Sequence, residues 1–255
     1  MAFAQTWDNA SQRPLVIAGI LSGWVENNPE AAIAYAKSLP DGQGKSDALA
    51  AVAGTIAFDN PQSAFDLIKN LSPGYLQTRL IWPIFSQWAD RSPSDAAAAA
   101  LQIPANGFQA AGVVANVWAI KDFDAAYAWA ASLPPGGMRD EAIKRAMWTL
   151  ASGDFDEATT WIGKHLADPG ANEAAYNLAN TLADIKPADT VNWIRSLPEG
   201  PVKIAAINGG FRMLSYYDPA STADLLSSVP AGDNRDNQYQ MLAYQWASTD
   251  LAAAN

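Results

Sequence analysis

The chain contains no cysteine and only one histidine, His165. The missing cysteines remove disulfides, thiolate nucleophiles and cysteine-ligated zinc, and a lone histidine cannot supply a common zinc site. Neither absence fixes a compartment, because reduced and oxidising locations both tolerate it. Positive charge is scarce as well: 16 lysines and arginines stand against 26 aspartates and glutamates, a net charge of −10. A surface of that sign repels phosphate backbones, and no basic stripe offsets it, so nucleic acid is not an expected partner. Long apolar runs are missing too. The longest, such as residues 96–101, fall far short of the roughly 20 residues a membrane-spanning helix needs, and no membrane insertion is expected. The opening Met-Ala-Phe-Ala-Gln lacks the charged and apolar regions of a signal peptide. Ala2-Phe3-Ala4 still resembles the end of a cleaved one, which leaves a soluble cytoplasmic and an exported protein both open.

Apolar residues are plentiful at 49%, which allows a sizeable core and argues against disorder. They recur with a period. A large apolar residue is followed five positions later by proline or a substitute: Trp24/Pro29, Ile56/Pro61, Trp88/Pro93, Trp118/Phe123, Leu150/Phe155, Leu182/Pro187, Leu214/Pro219 and Trp246/Leu251. Successive anchors are 32, 32, 30, 32, 32, 32 and 32 residues apart. Three residues after the proline position the side chain is always small: Ala32, Ala64, Ala96, Ala126, Ala158, Thr190, Thr222 and Ala254. Ten after it stand Leu39, Leu71, Ile103, Leu133, His165, Leu197 and Val229, usually with proline next.

Each column has a physical meaning. The residue before the anchor proline is Asn, Ser or Asp in seven of eight cases. Such residues cap a helix, and proline suits the first helical position. A short helix B of about ten residues follows, and the Leu-Pro step ends it, because a residue before proline avoids helical geometry. After a polar, Gly-containing turn, helix A runs into the next anchor, as Ala48, Leu49, Val52, Ala53 and Ile56 illustrate at helical spacing. Two short helices cannot bury their faces alone, so neighbouring pairs are expected to stack around a continuous core. The chain reads as one continuous helical-repeat domain over residues 1–255. It reads as cut within a repeat at both ends, since Phe3 and Trp7 occupy columns of an earlier helix B and residues 250–255 begin another. A piece of a longer array is the expectation; half-helices that cap a natural protein, or that meet in a closed ring, are the alternatives.

The pattern resembles the tetratricopeptide-type α/α solenoids over the whole chain. The likeness is architectural, since that family has a 34-residue period and a Trp…Leu-Gly…Tyr signature in its first helix. Here tryptophan ends the first helix, and the form Trp…[Asp/Asn]-Pro-x-x-Ala…Leu-Pro is similar to a divergent bacterial repeat. The resemblance implies an all-α, right-handed superhelical solenoid of about eight two-helix repeats. It also implies protein or peptide binding on a concave surface, and it transfers no catalytic residue.

The residues that carry chemistry elsewhere fall on structural positions here. Asp41-Gly42-Gln43-Gly44-Lys45-Ser46 ends like a phosphate-binding loop, but Leu39 stands where that loop needs its first glycine and no strand is expected before it. His165 occupies a column of Leu, Ile and Val in the one irregular turn, which points to packing rather than to a base or ligand. Asp122/Asp124 and Asp154/Asp156 recur in phase at the start of helix B, where carboxylates cap backbone N–H groups. Most of the ten tryptophans belong to core columns: Trp24, Trp88, Trp118 and Trp246 at the anchor, and Trp129, Trp161 and Trp193 in helix B.

Positions two, five and nine before the anchor point away from the core face and position six lies at its border; columns two and six form the expected groove. Along the chain these positions grow aromatic, amide-rich and basic. Trp82, Trp148, Tyr176, Asn180, Asn208, Arg212, Gln240 and Tyr244 are therefore the candidate partner-binding residues. The expected function is a protein- or peptide-binding scaffold, not an enzyme, with no metal, catalytic residue or cofactor. Two alternatives stand beside it. One is an architectural spacer or self-assembling array segment of a larger protein, whose open repeat ends allow end-to-end self-association. The other is an all-α toroidal enzyme acting on a polysaccharide.

Overall fold

The computed structural model describes residues 13–71, 74–103 and 107–249. Phe3, Trp7, the triplet at residues 2–4 and the helix start at residues 250–255 lie outside them. All regular structure among the described residues is helical, with no strand. The long, A-type helices are α1 (Arg13–Asn27), α3 (Gln43–Ile56), α5 (Tyr75–Arg91), α7 (Gly107–Lys121), α9 (Gly137–Gly153), α11 (Ala171–Ile185), α13 (Pro201–Tyr217) and α15 (Asp233–Thr249). The short, B-type helices between them are α2 (Pro29–Ser38), α4 (Pro61–Ile68), α6 (Pro93–Ala100), α8 (Phe123–Ser132), α10 (Phe155–Lys164), α12 (Pro187–Ser196) and α14 (Pro219–Leu226).

A single residue forms most A-to-B joints. Asn28, Ser92, Asp154, Lys186 and Asp218 each donate their backbone N–H to the carbonyl of the preceding anchor, at 2.7–3.0 Å. The carbonyls of the same residues accept the first bond of the next helix, as in Ala32 N–H to Asn28. Side chains finish the joint. Asn28, Asn60, Asp122, Asp154 and Asp218 accept from N–H groups two or three residues on. Proline fits next because the first N–H of a helix has no partner inside it. Ser92 and Lys186 make no side-chain cap; the proline that follows each holds the start.

The B-to-A turn depends on glycine. Gly42, Gly136, Gly200 and Gly232 have φ between 142° and 153°, a region that L side chains rarely adopt. Each stands fourteen residues before an anchor. The preceding Leu39, Leu133 and Leu197 are extended, with ψ of 140–149°, as proline demands.

Packing follows the columns. The small residues from Ala32 to Thr222 are at most 1% exposed, so no larger side chain fits there. Thr190 and Thr222 replace alanine at that position by donating their hydroxyls to the carbonyls of Lys186 and Asp218. The helices form two compact units, Met1–Trp118 and Ala119–Asn255. In the first, α1, α3 and α5 pack in series, each against its neighbouring short helices. In the second, α9, α11, α13 and α15 pack in the same way, with α12 also against α14.

The tightest of these contacts joins α11 to α13. A Cβ at Gly209 would collide with the carbonyl oxygen of Tyr176, so the two backbones touch. Ala175, Ala179, Ala206 and Gly210 line the same buried seam. Gly209→Ala is therefore expected to force the two helices apart and destabilise the protein by about 2–4 kcal/mol in urea unfolding. Gly163→Ala, in α10 with open space around its Cβ position, should instead stabilise it by about 0.5–1 kcal/mol. Equal effects of the two substitutions would contradict the backbone contact.

Candidate functional site

The long helices of the second unit turn a mixed aromatic and polar face to solvent. Trp148 on α9 is 49% exposed, Tyr176 on α11 45% and Tyr244 on α15 83%. Asn180, Arg212 and Gln240 are exposed, and Asn208 is half-buried. The Gly209 contact brings α11 and α13 to backbone distance, so Tyr176 and Asn180 on one helix neighbour Asn208 and Arg212 on the other. Asn208 Oδ1 accepts from Gln238 Nε2 at 2.9 Å, which joins α13 to α15. Trp82 is exposed on α5 and belongs to the first unit.

Charge along this face is uneven. Glu141 takes up Arg145 at 2.7 Å and Lys144 at 3.1 Å. Partial burial raises the Glu141 carboxyl, but hydrogen bonds from Arg145 and Lys144 and their charges outweigh it and hold the group below its usual value. Arg212 has no hydrogen bond or ion pair to any described residue, so its guanidinium remains available. Met241, 62% exposed, belongs to the same face, though it was not among the candidate binding residues. It lies five positions before its anchor, a column expected to point away from the core, whereas Gly209 in the same column is buried against α11.

The motifs set aside as structural have ordinary local partners. Lys45 pairs with Asp41 at 2.9 Å, and the hydrogen bond and charge of Lys45 lower the Asp41 carboxyl. Gly42 starts α3 at that turn, so the segment resembling a phosphate loop is the first turn of a helix. Asp122 and Asp154 cap α8 and α10. Among the described residues, no three His, Asp or Glu side chains are grouped to hold a metal ion, and no helix is long and apolar enough to cross a membrane.

His165 sits in a more elaborate turn than the repeat predicts. Its Nδ1–H donates to the Trp161 carbonyl at 2.7 Å, and its ring stacks on the Trp161 indole at 4.1 Å between centroids. Trp161 Nε1 donates to Asp124 at 2.8 Å, and Tyr127 donates its hydroxyl to the Pro169 carbonyl at 3.1 Å. Trp161 was expected as a core residue and is only half-buried. Its indole N–H needs a polar partner, and Asp124 at the rim supplies one.

No family model, curated protein or solved structure matches the chain. The protein is all-α, and its described helices pack in tandem in a way compatible with a helical repeat.

Burial raises the Tyr127 phenol far above its ordinary value, and the carboxylates of Asp168 and Glu173 add to the shift against a smaller effect of Arg139. A group whose pKa is raised by folding contributes stability that is complete below its unfolded value, here 10.0, and is lost as pH rises toward the folded one. Taking the protein from about pH 8 to about pH 11 should therefore lower wild-type stability more than that of Tyr127→Phe. At neutral pH the variant should lose only about 1 kcal/mol, for the bond to Pro169. Parallel urea midpoints across that pH range would contradict the assignment.

Proposed function

We propose that the chain is a protein- or peptide-binding scaffold with no catalytic activity of its own. In this reading the tandem helices form a right-handed α/α superhelical solenoid of about eight two-helix repeats, related to the tetratricopeptide type. The long helices of the second unit carry the binding face. The observation that supports it is the set of exposed Trp148 on α9, Tyr176 on α11 and Met241 and Tyr244 on α15, interleaved with carboxamides and, on α13, with Arg212.

The chemistry suits a peptide. Large aromatic side chains with few rotatable bonds bury much area at low entropic cost, and they dominate binding hot spots together with arginine. Asn180 and Gln240 can bond to the main chain of an extended segment, which helices otherwise have no means to pair. Arg212 favours a partner carrying a carboxylate, whereas Lys144 and Arg145 are already paired with Glu141. Several of the acids serve the fold as caps or in the first turn of a helix, among them Asp122, Asp124, Asp154 and Asp156, so the overall charge of −10 does not describe this face.

Selection of random peptides on the immobilised protein tests the reading. Wild type is expected to enrich peptides that combine apolar residues with Asp, Glu or a free C-terminal carboxylate. Trp148→Ala, Tyr244→Ala and Arg212→Ala should each weaken the enriched peptides about tenfold in calorimetry while helicity is kept. No enrichment, or peptides indifferent to all three substitutions, would overturn it.

A further inference from the structure

The His165 turn departs from the repeat in a way that capping and packing do not account for. Elsewhere the column that ends helix B is Leu, Ile or Val, and a glycine stands fourteen residues before most anchors. Here the first position is His165 and the second is Asp168, and the positive-φ residue is moved on to Gly170, with φ of 85°. Repeat sequences hold a column constant where packing demands it, so a local break that forms its own hydrogen bonds and ring contacts points to another demand.

What the break creates is a cleft of about 320 Å³ beside α8 and α10. That volume lies at the lower end of small-ligand pockets. Ala128, Ala131 and the Trp161 ring give it an apolar wall, and Asp124 and Asp168 give it two exposed carboxylates. No lysine or arginine lines it. The polar groups are already oriented: Asp124 is fixed by the Trp161 indole through one oxygen only. His165 is fixed through Nδ1, which leaves Nε2 on the opposite edge of the ring as an acceptor with no described partner. Trp161 is itself held edge-to-face by Tyr127 and Phe123, at 4.4 and 5.0 Å. The site thus offers acceptors and negative charge at its rim, an apolar wall and no donor of positive charge.

We propose that this cleft binds the cationic end of an alkylguanidinium or alkylammonium group, with the aliphatic stem along Ala128, Ala131 and Trp161 and the charged head between Asp124, Asp168 and His165 Nε2. Basic side chains and free alkylamines share that amphipathic form. Burial is the first cause of the raised Tyr127 phenol, and the Asp168 and Glu173 carboxylates add to it against the smaller effect of Arg139. The site involves the short helices and is independent of the peptide-binding face proposed for the long ones.

His165 is the only histidine, so its imidazole Cε1–H gives a single, self-assigned proton NMR signal inside the cleft. Titration with N-acetyl-argininamide should move that signal saturably, with a Kd on the order of 1 mM, whereas the neutral isostere N-acetyl-citrullinamide should bind at least about tenfold more weakly. Asp168→Asn, an exposed substitution that keeps side-chain size, should weaken the arginine derivative about tenfold. Agmatine and a capped Gly-Arg-Gly peptide separate the two sources of the group. Tighter binding of agmatine identifies a free alkyl cation as ligand, and equal or tighter binding of the peptide identifies a basic residue of a polypeptide. No saturable shift with any cation, an equal response to the citrulline derivative, or unchanged affinity in a folded Asp168→Asn protein would overturn the proposal.

Discussion

Among the described residues, six of the seven long-to-short junctions depend on one residue serving two helices at once. Asn28, Asp154 and Asp218 each close the preceding helix with their backbone N–H and open the next with their backbone carbonyl and side-chain oxygen. A joint that short allows no slack, so the direction of each short helix is set by the φ and ψ of a single position, near −150° and 75–118°. Proline or phenylalanine follows, and the small residue three places later lies fully buried against a neighbour. Loss of the joint would mis-aim the short helix and with it the alanine column, which tolerates no added volume.

The other connection works by a different constraint. There the leucine before proline is extended and a glycine at φ near 145° reverses the chain. Side-chain capping is absent at Gly42, Gly136 and Gly200, so backbone conformation alone makes that turn. Acidic side chains serve the first kind of joint, as Asp122, Asp154 and Asp218 show, but they also stand in the glycine turns and within the helices. The outward faces of the long helices carry neither constraint and are freer to vary. On the second unit that freedom is taken up by Trp148, Tyr176, Arg212, Met241 and Tyr244.

The two candidate sites relate to the repeat in opposite ways. The aromatic face occupies positions where the repeat imposes nothing, so its residues differ from helix to helix without disturbing the fold. The His165 cleft lies where the repeat imposes a great deal and is broken. Tyr127, Trp161, His165 and Asp124 replace the missing Leu-Pro-Gly arrangement with hydrogen bonds and ring contacts of their own.

Much of the fold was legible in the sequence because it rests on local rules. The caps, the prolines, the Leu-Pro stops and the small-residue columns are each decided within one turn of chain, where residue type limits backbone conformation directly. Helix type, order and junctions follow from them, and so does the outward placing of Tyr176, Arg212 and Tyr244. Tertiary structure decided what depends on distance between helices. That Gly209 allows α11 and α13 to touch, that Asn208 meets Gln238, and that the Asp124 carboxylate finds the Trp161 indole are contacts across 30 or more residues. Sequence periodicity places each partner on a face but carries no measure of separation, and separation fixes which polar groups pair and where a cleft remains.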